Sequence, residues 1–501
     1  MGRGGTAGGI ERQNGWRRVA DKIEPLWLAS DSDSRTVGLA NGSGLRTIAH
    51  SLGENSCMHA TAMRKMALRA ITLEVLAIFL FAAPMFSFAQ SNSRRHAPAD
   101  RGAYQLRFTL VLSRHGIRPP LASNASLDLI SSDRWPEWPV PLGYLTPHGA
   151  VALRQMGAYM RLDAARSGLF PSGGCPGRGE VYLYSDTAER NIESTRNTFA
   201  GFEPGCAIAI HTIVPKAGAR DPLFSPIPDT FPRPSREAMA ADQRGVPRKD
   251  PAAFSSVAKN PELIELARIL APNPAHPPAK PILNDPSPLA AASSPIEDIL
   301  LEYVDDKPMS QVGWGRVDEA TLRRLIALHV KEFSAGTRTP LSARTQASNM
   351  VAHFLDTLEQ AAQSSQVAGA LGPVGTRLVY VSGHDSNVYR VGGLLGLHWT
   401  ANGRTDAVPP DSQLVFELLQ SRRSKQYFVR ILYRAQTLDQ LRSAEPLTLK
   451  DGPAEVSLTT PGCKAGGLCP FATFNRAVHG LLDPAYVQRT MPPTEVVGSR
   501  P

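Results

Sequence analysis

The chain is poor in residues that mark several classes of protein. Its 501 residues include five cysteines and 7% aromatic residues, without Cys-x-x-Cys pairs or clustered histidines. These spacings are not those of a zinc site, so we expect no metal and no cofactor. The net charge is +9, yet its lysines and arginines form no dense run and are not interleaved with aromatic residues. The composition therefore argues against a partner that is a nucleic acid.

An export signal is predicted well inside the chain. Met63–Arg69 is a positively charged segment, residues 70–83 are apolar, and Ser87 and Ala89 are small residues in front of a cleavage site at Gln90. This pattern predicts a signal peptide over 63–89, with a retained membrane anchor as the alternative. Residues 1–62 then form an upstream segment, explained by a misassigned start or by disorder.

A charged cluster follows the first apolar run of the remaining chain. Phe108–Leu112 is typical of a buried strand, and Arg114, His115 and Arg118 come directly after it. Ligands bind beyond the carboxyl ends of strands in open α/β sheets. Guanidinium groups match phosphate oxygens, and a neutral imidazole can attack phosphorus. The cluster therefore indicates a phosphate site, the alternative being a solvated basic turn.

Two more strands are predicted to end in polar residues. Thr376–Val381 is β-rich and leads to His384 and Asp385, while Val181–Tyr184 leads to Arg190. Taken alone, Arg190 is typical of a helix surface, where it would pair with a nearby acid, and Asp385 of a helix N-cap.

The segment Arg114–Pro120 resembles the Arg-His-Gly-x-Arg-x-Pro signature of histidine acid phosphatases, and His384-Asp385 resembles the second motif of that family. Further segments resemble the bacterial periplasmic acid phosphatases and phytases: Trp135–Val140, Leu145–Gly149, Gly313–Arg316 and Ser412–Glu417. The resemblance covers roughly residues 104–480 and is lowest between about 221 and 295.

The resemblance implies a role for each of these residues. His115 would be the nucleophile that forms a phosphohistidine, and Asp385 would protonate the leaving group and then activate water. Phosphate would be bound by Arg114, Arg118, Arg190 and His384. Because arginines crowd His115, its pKa should fall, which keeps the ring neutral in acid.

The substrate pocket is less well defined by the sequence. The resemblance places an acidic pocket residue at Glu297 or Asp298, although an exposed charge on a helix is the alternative for each. Phytase-like relatives carry a lysine soon after the first motif, but residues 121–126 contain no cation here; Arg134 is a candidate substitute. We expect a secreted phosphatase acting on phytate. Glucose-1-phosphatase or broad acid phosphatase activity, an inactive phosphate-binding protein and a phosphotransfer mutase are the alternatives.

The pattern of elements predicts an α/β protein. Strand-like runs at 105–112, 180–184, 376–382, 412–418 and 426–433 alternate with helical stretches. The resemblance implies a mixed-sheet, phosphoglycerate-mutase-like core with a smaller helical cap. The expected parts are core at 90–220, cap insertion at 221–330, core at 331–484, and a loose polar tail at 485–501.

Four cysteines remain after the predicted cleavage, an even number that fits an oxidising compartment. Three pairings are possible; proximity in sequence favours Cys463–Cys469, leaving Cys175–Cys206, and the resemblance supports the same pairing. We therefore expect a periplasmic or secreted monomer without a stable membrane anchor, whose partner is a small phosphomonoester.

Overall fold

The computed structural model describes residues 102–207, 209–214, 220–225, 233–234, 236–245, 260–464 and 467–497. The upstream segment 1–62 and the predicted signal peptide 63–89 lie outside these residues. In the described ranges, no helix combines the length and apolar character needed to cross a membrane.

The strands form a mixed sheet. In chain order they are Tyr104–Arg114 (β1), Val181–Ser185 (β2), Ile210–Ile213 (β3), Leu378–Gly383 (β4), Thr400–Ala401 (β5), Arg404–Thr405 (β6), Gln413–Ser421 (β7), Tyr427–Ala435 (β8), Ala454–Ser457 (β9), Cys469–Pro470 (β10) and Thr494–Val497 (β11). In the described part of the chain nine strands share one sheet, ordered β10-β8-β7-β1-β4-β2-β3-β11, with β9 on β8. The neighbours β1, β4, β2 and β3 are parallel, and β7 runs antiparallel to β1. The predicted α/β class is confirmed.

The helices cover both faces of this sheet and form the cap. They are Asn124–Leu127 (α1), Pro147–Ser167 (α2), Glu189–Phe202 (α3), Arg236–Gly245 (α4), Pro261–Leu270 (α5), Pro288–Val304 (α6), Glu319–Thr337 (α7), Pro340–Gln363 (α8), Asp385–Leu394 (α9), Leu438–Ser443 (α10) and Phe471–His479 (α11). Short 3-10 turns occur at Ile282–Asn284, Val312–Gly315 and Pro484–Tyr486.

Alternation along β1 builds a separate apolar core on each face of the sheet. Leu110 and Leu112 belong to the cluster that includes α8 and α9, whereas Val111 belongs to the cluster that includes α2 and α3. Successive side chains of a strand point to opposite faces, so a sheet covered on both sides gives the continuous apolar run seen in the sequence.

Helix α3, which carries Arg190 near its start, packs very closely against α2. A Cβ atom added to Gly157 of α2 would lie 1.8 Å from the carbonyl oxygen of Thr198. Only glycine therefore permits this approach.

A third apolar cluster joins α5, α6 and α7, including Leu266, Ile299 and Leu325. These helices correspond to the expected cap. The expected boundary at 330/331 is wrong, because α7 continues without a break to Thr337 and buries Val330 in the cap cluster.

The expectation of a loose tail from residue 485 is also wrong in part. Thr494–Val497 pair antiparallel with Ile210–Ile213 and extend the edge of the sheet. Backbone pairing with an exposed edge stabilises this segment, although its sequence has little apolar content beyond Val496 and Val497.

Candidate active site

Three parallel strands deliver the candidate residues to one edge of the sheet. Arg114 at the end of β1 is paired with Gly383 at the end of β4, and Ser185 at the end of β2 is paired with Ser382. Since these strands run in the same direction, the residues that follow them meet beyond their carboxyl ends. The structure therefore brings together the three segments that were predicted separately.

The ring of His115 is buried and fixed in orientation. Its Nδ1 lies 2.8 Å from the carbonyl oxygen of Gly116, and because a carbonyl only accepts, Nδ1 carries the proton and donates. The other ring nitrogen, Nε2, is then an unprotonated lone pair. Burial lowers the pKa of His115 well below its ordinary value, and the charges of Arg190, Arg114 and Arg118 lower it further. The predicted direction of this shift is confirmed.

Arg114 is held from two sides. Its Nη1 donates to the carbonyl of Val408 at 2.5 Å, and its Nη2 forms an ion pair with Glu297 and lies 3.4 Å from Oδ2 of Asp385. Burial acts to lower the pKa of Arg114, but the carboxylates of Glu297 and Asp385 outweigh it and raise the pKa. This guanidinium is positively charged and preoriented.

Arg118 and Arg190 complete the group of cations. Arg118 is buried and donates to its neighbour's carbonyl, that of Pro119, at 3.0 Å. Arg190 donates to the carbonyl of Gly143 at 3.4 Å and to Nδ1 of His384 at 3.4 Å. Burial lowers the pKa of Arg190 to about 10, with Arg118 the next cause. Arg190 thus faces the site rather than an acid on the surface of its own helix.

His384 is engaged through both ring nitrogens. Its Nε2 lies 2.5 Å from Oδ2 of Asp186, a residue that the sequence analysis did not assign to the site. Burial acts to raise the pKa of Asp186, but hydrogen bonding and the charge of His384 lower it. Nε2 therefore carries the proton, and Nδ1 accepts from Arg190. To donate to phosphate, His384 must release one of these partners.

Asp385 is the first residue of α9, and His384 is its N-cap, which corrects the N-cap reading of Asp385. The Oδ1 atom of Asp385 accepts from the backbone N–H of Ser386 at 2.5 Å. Burial acts to raise the pKa of Asp385, yet Arg114 and Arg118 lower it below its ordinary value. In the substrate-free site Asp385 is a carboxylate.

The two acids of α6 are buried, so the alternative of exposed helix charges is wrong for both. Glu297 pairs with Arg114, and its pKa is lowered because Arg114 and His329 outweigh burial. Burial raises the pKa of Asp298 to about 7 against the opposing charge of Arg118. Both acids therefore belong to the electrostatics of the site.

The missing signal for Glu297 was present in the helix itself. From Pro295 to Val304 every residue of α6 is buried, and the apolar residues occur on all sides of the helix. A helix without a polar face is a buried helix, and its acids must then have partners.

The rim of the site carries no cation in the first loop. Leu121 directly follows the motif and is 60% exposed, and residues 121–126 contain no lysine or arginine. Arg134 is exposed, and its carbonyl accepts a hydrogen bond from Nε1 of Trp314. Its proposed contact with substrate stays a prediction.

The two disulfides expected from the sequence are formed. Cys175 is bonded to Cys206, and Cys463 to Cys469. The first closes the loop between α2 and β2 onto the end of α3, and the second holds β10 beside β8.

Comparison with known proteins agrees with this geometry. Residues 105–434 match the family model of the histidine phosphatase superfamily (branch 2). The phytase AppA of Escherichia coli (strain K12) is 30% identical over 452 residues, which cover 83% of this chain and 99% of that protein. The glucose-1-phosphatase of Salmonella typhimurium is 28% identical, covering 77% of this chain and 95% of that protein.

Solved structures give the same result. The Hafnia alvei phytase in complex with myo-inositol hexakis sulphate has a TM-score of 0.68 at 28% identity, and the match covers 78% of this chain and 100% of that one.

Proposed function

The chain belongs to branch 2 of the histidine phosphatase superfamily and is a phosphomonoester hydrolase, and we propose that it hydrolyses phytate through a phosphohistidine at His115. The observation that carries this mechanism is the state of the His115 ring. Its Nδ1 is occupied by a carbonyl, so Nε2 is the free nucleophile, and three guanidinium groups surround it.

In the first step the lone pair of His115 Nε2 attacks phosphorus, and the bond to the leaving oxygen breaks. Arg114, Arg118 and Arg190 bind the phosphoryl oxygens as their charge spreads in the transition state. In the second step water attacks the phosphohistidine and releases phosphate. Two displacements at phosphorus give overall retention.

Asp385 acts as the proton donor in the first step and as the base in the second. Its low pKa in the empty site follows from the neighbouring arginines. A bound phosphoryl dianion neutralises those arginines and places negative charge beside Asp385, which raises its pKa. The substrate itself therefore converts the carboxylate into an acid, and low pH favours the same state.

Phytate is proposed because both relatives with solved structures and the relative with the highest identity reported above are phytases. One observation favours a second candidate, glucose-1-phosphate or general monoesters. The exposed Leu121 and the uncharged loop that follows it give a polyanion little attraction at that side of the rim.

The test compares kcat/KM for phytate and for glucose-1-phosphate with the purified, oxidised protein at acidic pH, with His115→Ala as the blank. A preference for phytate supports the first candidate, and the matched pair Arg134→Gln and Arg316→Gln then asks whether Arg134 supplies the missing cation. Arg316 serves as the control because it is committed to an ion pair with Asp133.

A preference for glucose-1-phosphate would favour the second candidate. Hydrolysis of neither ester, with phosphate still bound, would favour a binding protein on a phosphatase scaffold.

We further propose that the protein works in the periplasm or outside the cell. Two disulfides persist only where thiols are oxidised, and the predicted signal peptide supports export. Measuring the N-terminus of the protein recovered from a periplasmic fraction tests this: cleavage before Gln90 is the expected result.

A further inference from the structure

A small cavity lies directly behind Arg114, on the side away from the substrate. Its lining includes Glu297 of α6, His329 of α7, Tyr389 of α9 and Arg404 of β6. His329 is buried and was assigned no role above. The cavity is closed toward the sheet by the Val408 carbonyl that binds Arg114.

The hydrogen bonds of His329 fix where its first proton lies. Its Nδ1 is 3.0 Å from the carbonyl oxygen of Ser293 and 2.9 Å from that residue's hydroxyl. Because the carbonyl only accepts, Nδ1 carries a proton. In a neutral ring Nε2 is therefore an acceptor.

This acceptor faces a second acceptor. Nε2 of His329 is 3.7 Å from Oε2 of Glu297, and that oxygen has no hydrogen-bond donor among the described residues. Two lone pairs oppose each other in a buried site, which costs free energy. One additional proton between the two atoms turns this repulsion into a charge-assisted hydrogen bond.

The same proton decides the charge next to the phosphate site. With it, the Glu297–His329 pair is neutral in total. Without it, the pair carries one negative charge, and Glu297 is bound directly to Arg114. That negative charge competes with a phosphoryl group for Arg114 and repels it.

The other charged or titratable groups around His329 do not replace this proton. Arg404, which donates to the carbonyl of Gln436 at 3.5 Å, adds positive charge and disfavours an imidazolium. Burial raises the pKa of Tyr389 well above its ordinary value, so it remains neutral. Glu297 and, beyond it, Arg114 are thus the groups that set the charge of His329.

We propose that His329 is a positioning residue that shares a proton with Glu297, and that this proton releases Arg114 to bind the phosphoryl group of the substrate. The inference rests on the proposed function. It adds that phosphate affinity, and not the chemical step, depends on His329. Because histidine is the side chain that changes charge between about pH 5 and pH 8, affinity is strongest on the acidic side of that range.

The test measures the inhibition constant of inorganic phosphate, together with kcat and KM for p-nitrophenyl phosphate, at several values from about pH 5 to about pH 8. The variants are His329→Gln, Glu297→Gln and the double variant. Ratios to the wild type at each pH remove the titration of phosphate itself. His353→Gln is the matched control, since His353 is another buried helical histidine whose Nδ1 lies on a carbonyl, that of Gly369.

In the wild type we expect phosphate affinity to weaken with rising pH more than in either single variant, by a factor on the order of ten for one unit of buried charge. kcat at saturation should keep its pH profile, and the control should keep the wild-type pH dependence. In the Glu297→Gln background, adding His329→Gln should change nothing further.

A pH-independent ratio between His329→Gln and the wild type would overturn the proposal, as would an undiminished effect of His329→Gln in the Glu297→Gln background. If His329→Gln fails to fold, calorimetry of sulfate binding decides, since sulfate does not titrate in this range. Wild-type protein should take up more protons on binding sulfate than Glu297→Gln does, and equal uptake would overturn the proposal. Failure of the proposed function would look different, because hydrolysis would then persist in His115→Ala.

Discussion

The role of Asp385 leads to a prediction that depends on the leaving group. Asp385→Asn keeps the shape of the side chain but removes the transferable proton. General acid catalysis contributes about 10²–10⁴-fold, or roughly 3–5 kcal/mol at 1.36 kcal/mol per tenfold. An alcohol leaving group needs this proton, whereas the acidic phenol of p-nitrophenyl phosphate leaves as an anion. We expect kcat for glucose-1-phosphate to fall by about 10³-fold and kcat for the phenyl ester by less than about tenfold.

The same substitution should strengthen binding. The carboxylate of Asp385 lies 3.4 Å from Nη2 of Arg114, so it competes with the phosphoryl group for that guanidinium. We therefore expect KM to fall for both esters while kcat falls selectively. Asp439→Asn is the control, an exposed carboxylate bonded to Tyr303 on the cap side. Equal losses of kcat for both esters would refute the assignment of Asp385 as the general acid.

Three further predictions concern covalent chemistry, pH and cross-linking. His115→Ala should lower kcat by at least about 10⁴-fold and leave no phosphoenzyme in an alkaline quench with labelled substrate, and added imidazole should restore part of the activity. Burial raises the pKa of Asp221 to about 7, so its contribution to the free energy of unfolding is complete below about pH 4 and is lost as pH rises through about 7; Asp221→Asn should flatten this loss of a few kcal/mol in urea titrations, and an unchanged slope would count against it. Replacing Cys175 and Cys206 by serine opens a loop of 31 residues, which should cost about 4 kcal/mol by loop entropy and lower the thermal midpoint more than removal of the disulfide with a six-residue loop.

The central strands and the catalytic motifs could be predicted because each carries a local signal. The apolar run before Arg114 and the β-rich run before His384 match β1 and β4 closely. Two motifs that follow neighbouring parallel strands must then lie together, although 270 residues separate them. The family resemblance drawn from these motifs is confirmed by the match over residues 105–434.

The charges around these motifs could not be predicted in the same way. Arg114 and Glu297 are 183 residues apart, and Asp186 reaches His384 across 198 residues. An acid that pairs with a buried arginine and an acid on a solvated helix are identical in one sequence. Their difference is decided by packing, and the packing of α6 and α7 depends on a cap whose first half has little periodic pattern.

The balance of charges explains why the empty site contains so many acids. Three arginines in a buried cleft would repel one another, and the carboxylates of Glu297 and Asp385 stabilise at least one of them. These acids are counter-ions that occupy the position of the substrate's charge. A phosphoryl dianion that enters must displace their hold on Arg114, and it can do so at least cost when protons accompany it to Asp385 and to the pair of Glu297 with His329. Acidity thus favours binding and leaving-group protonation through the same exchange of a carboxylate for a phosphate on one guanidinium.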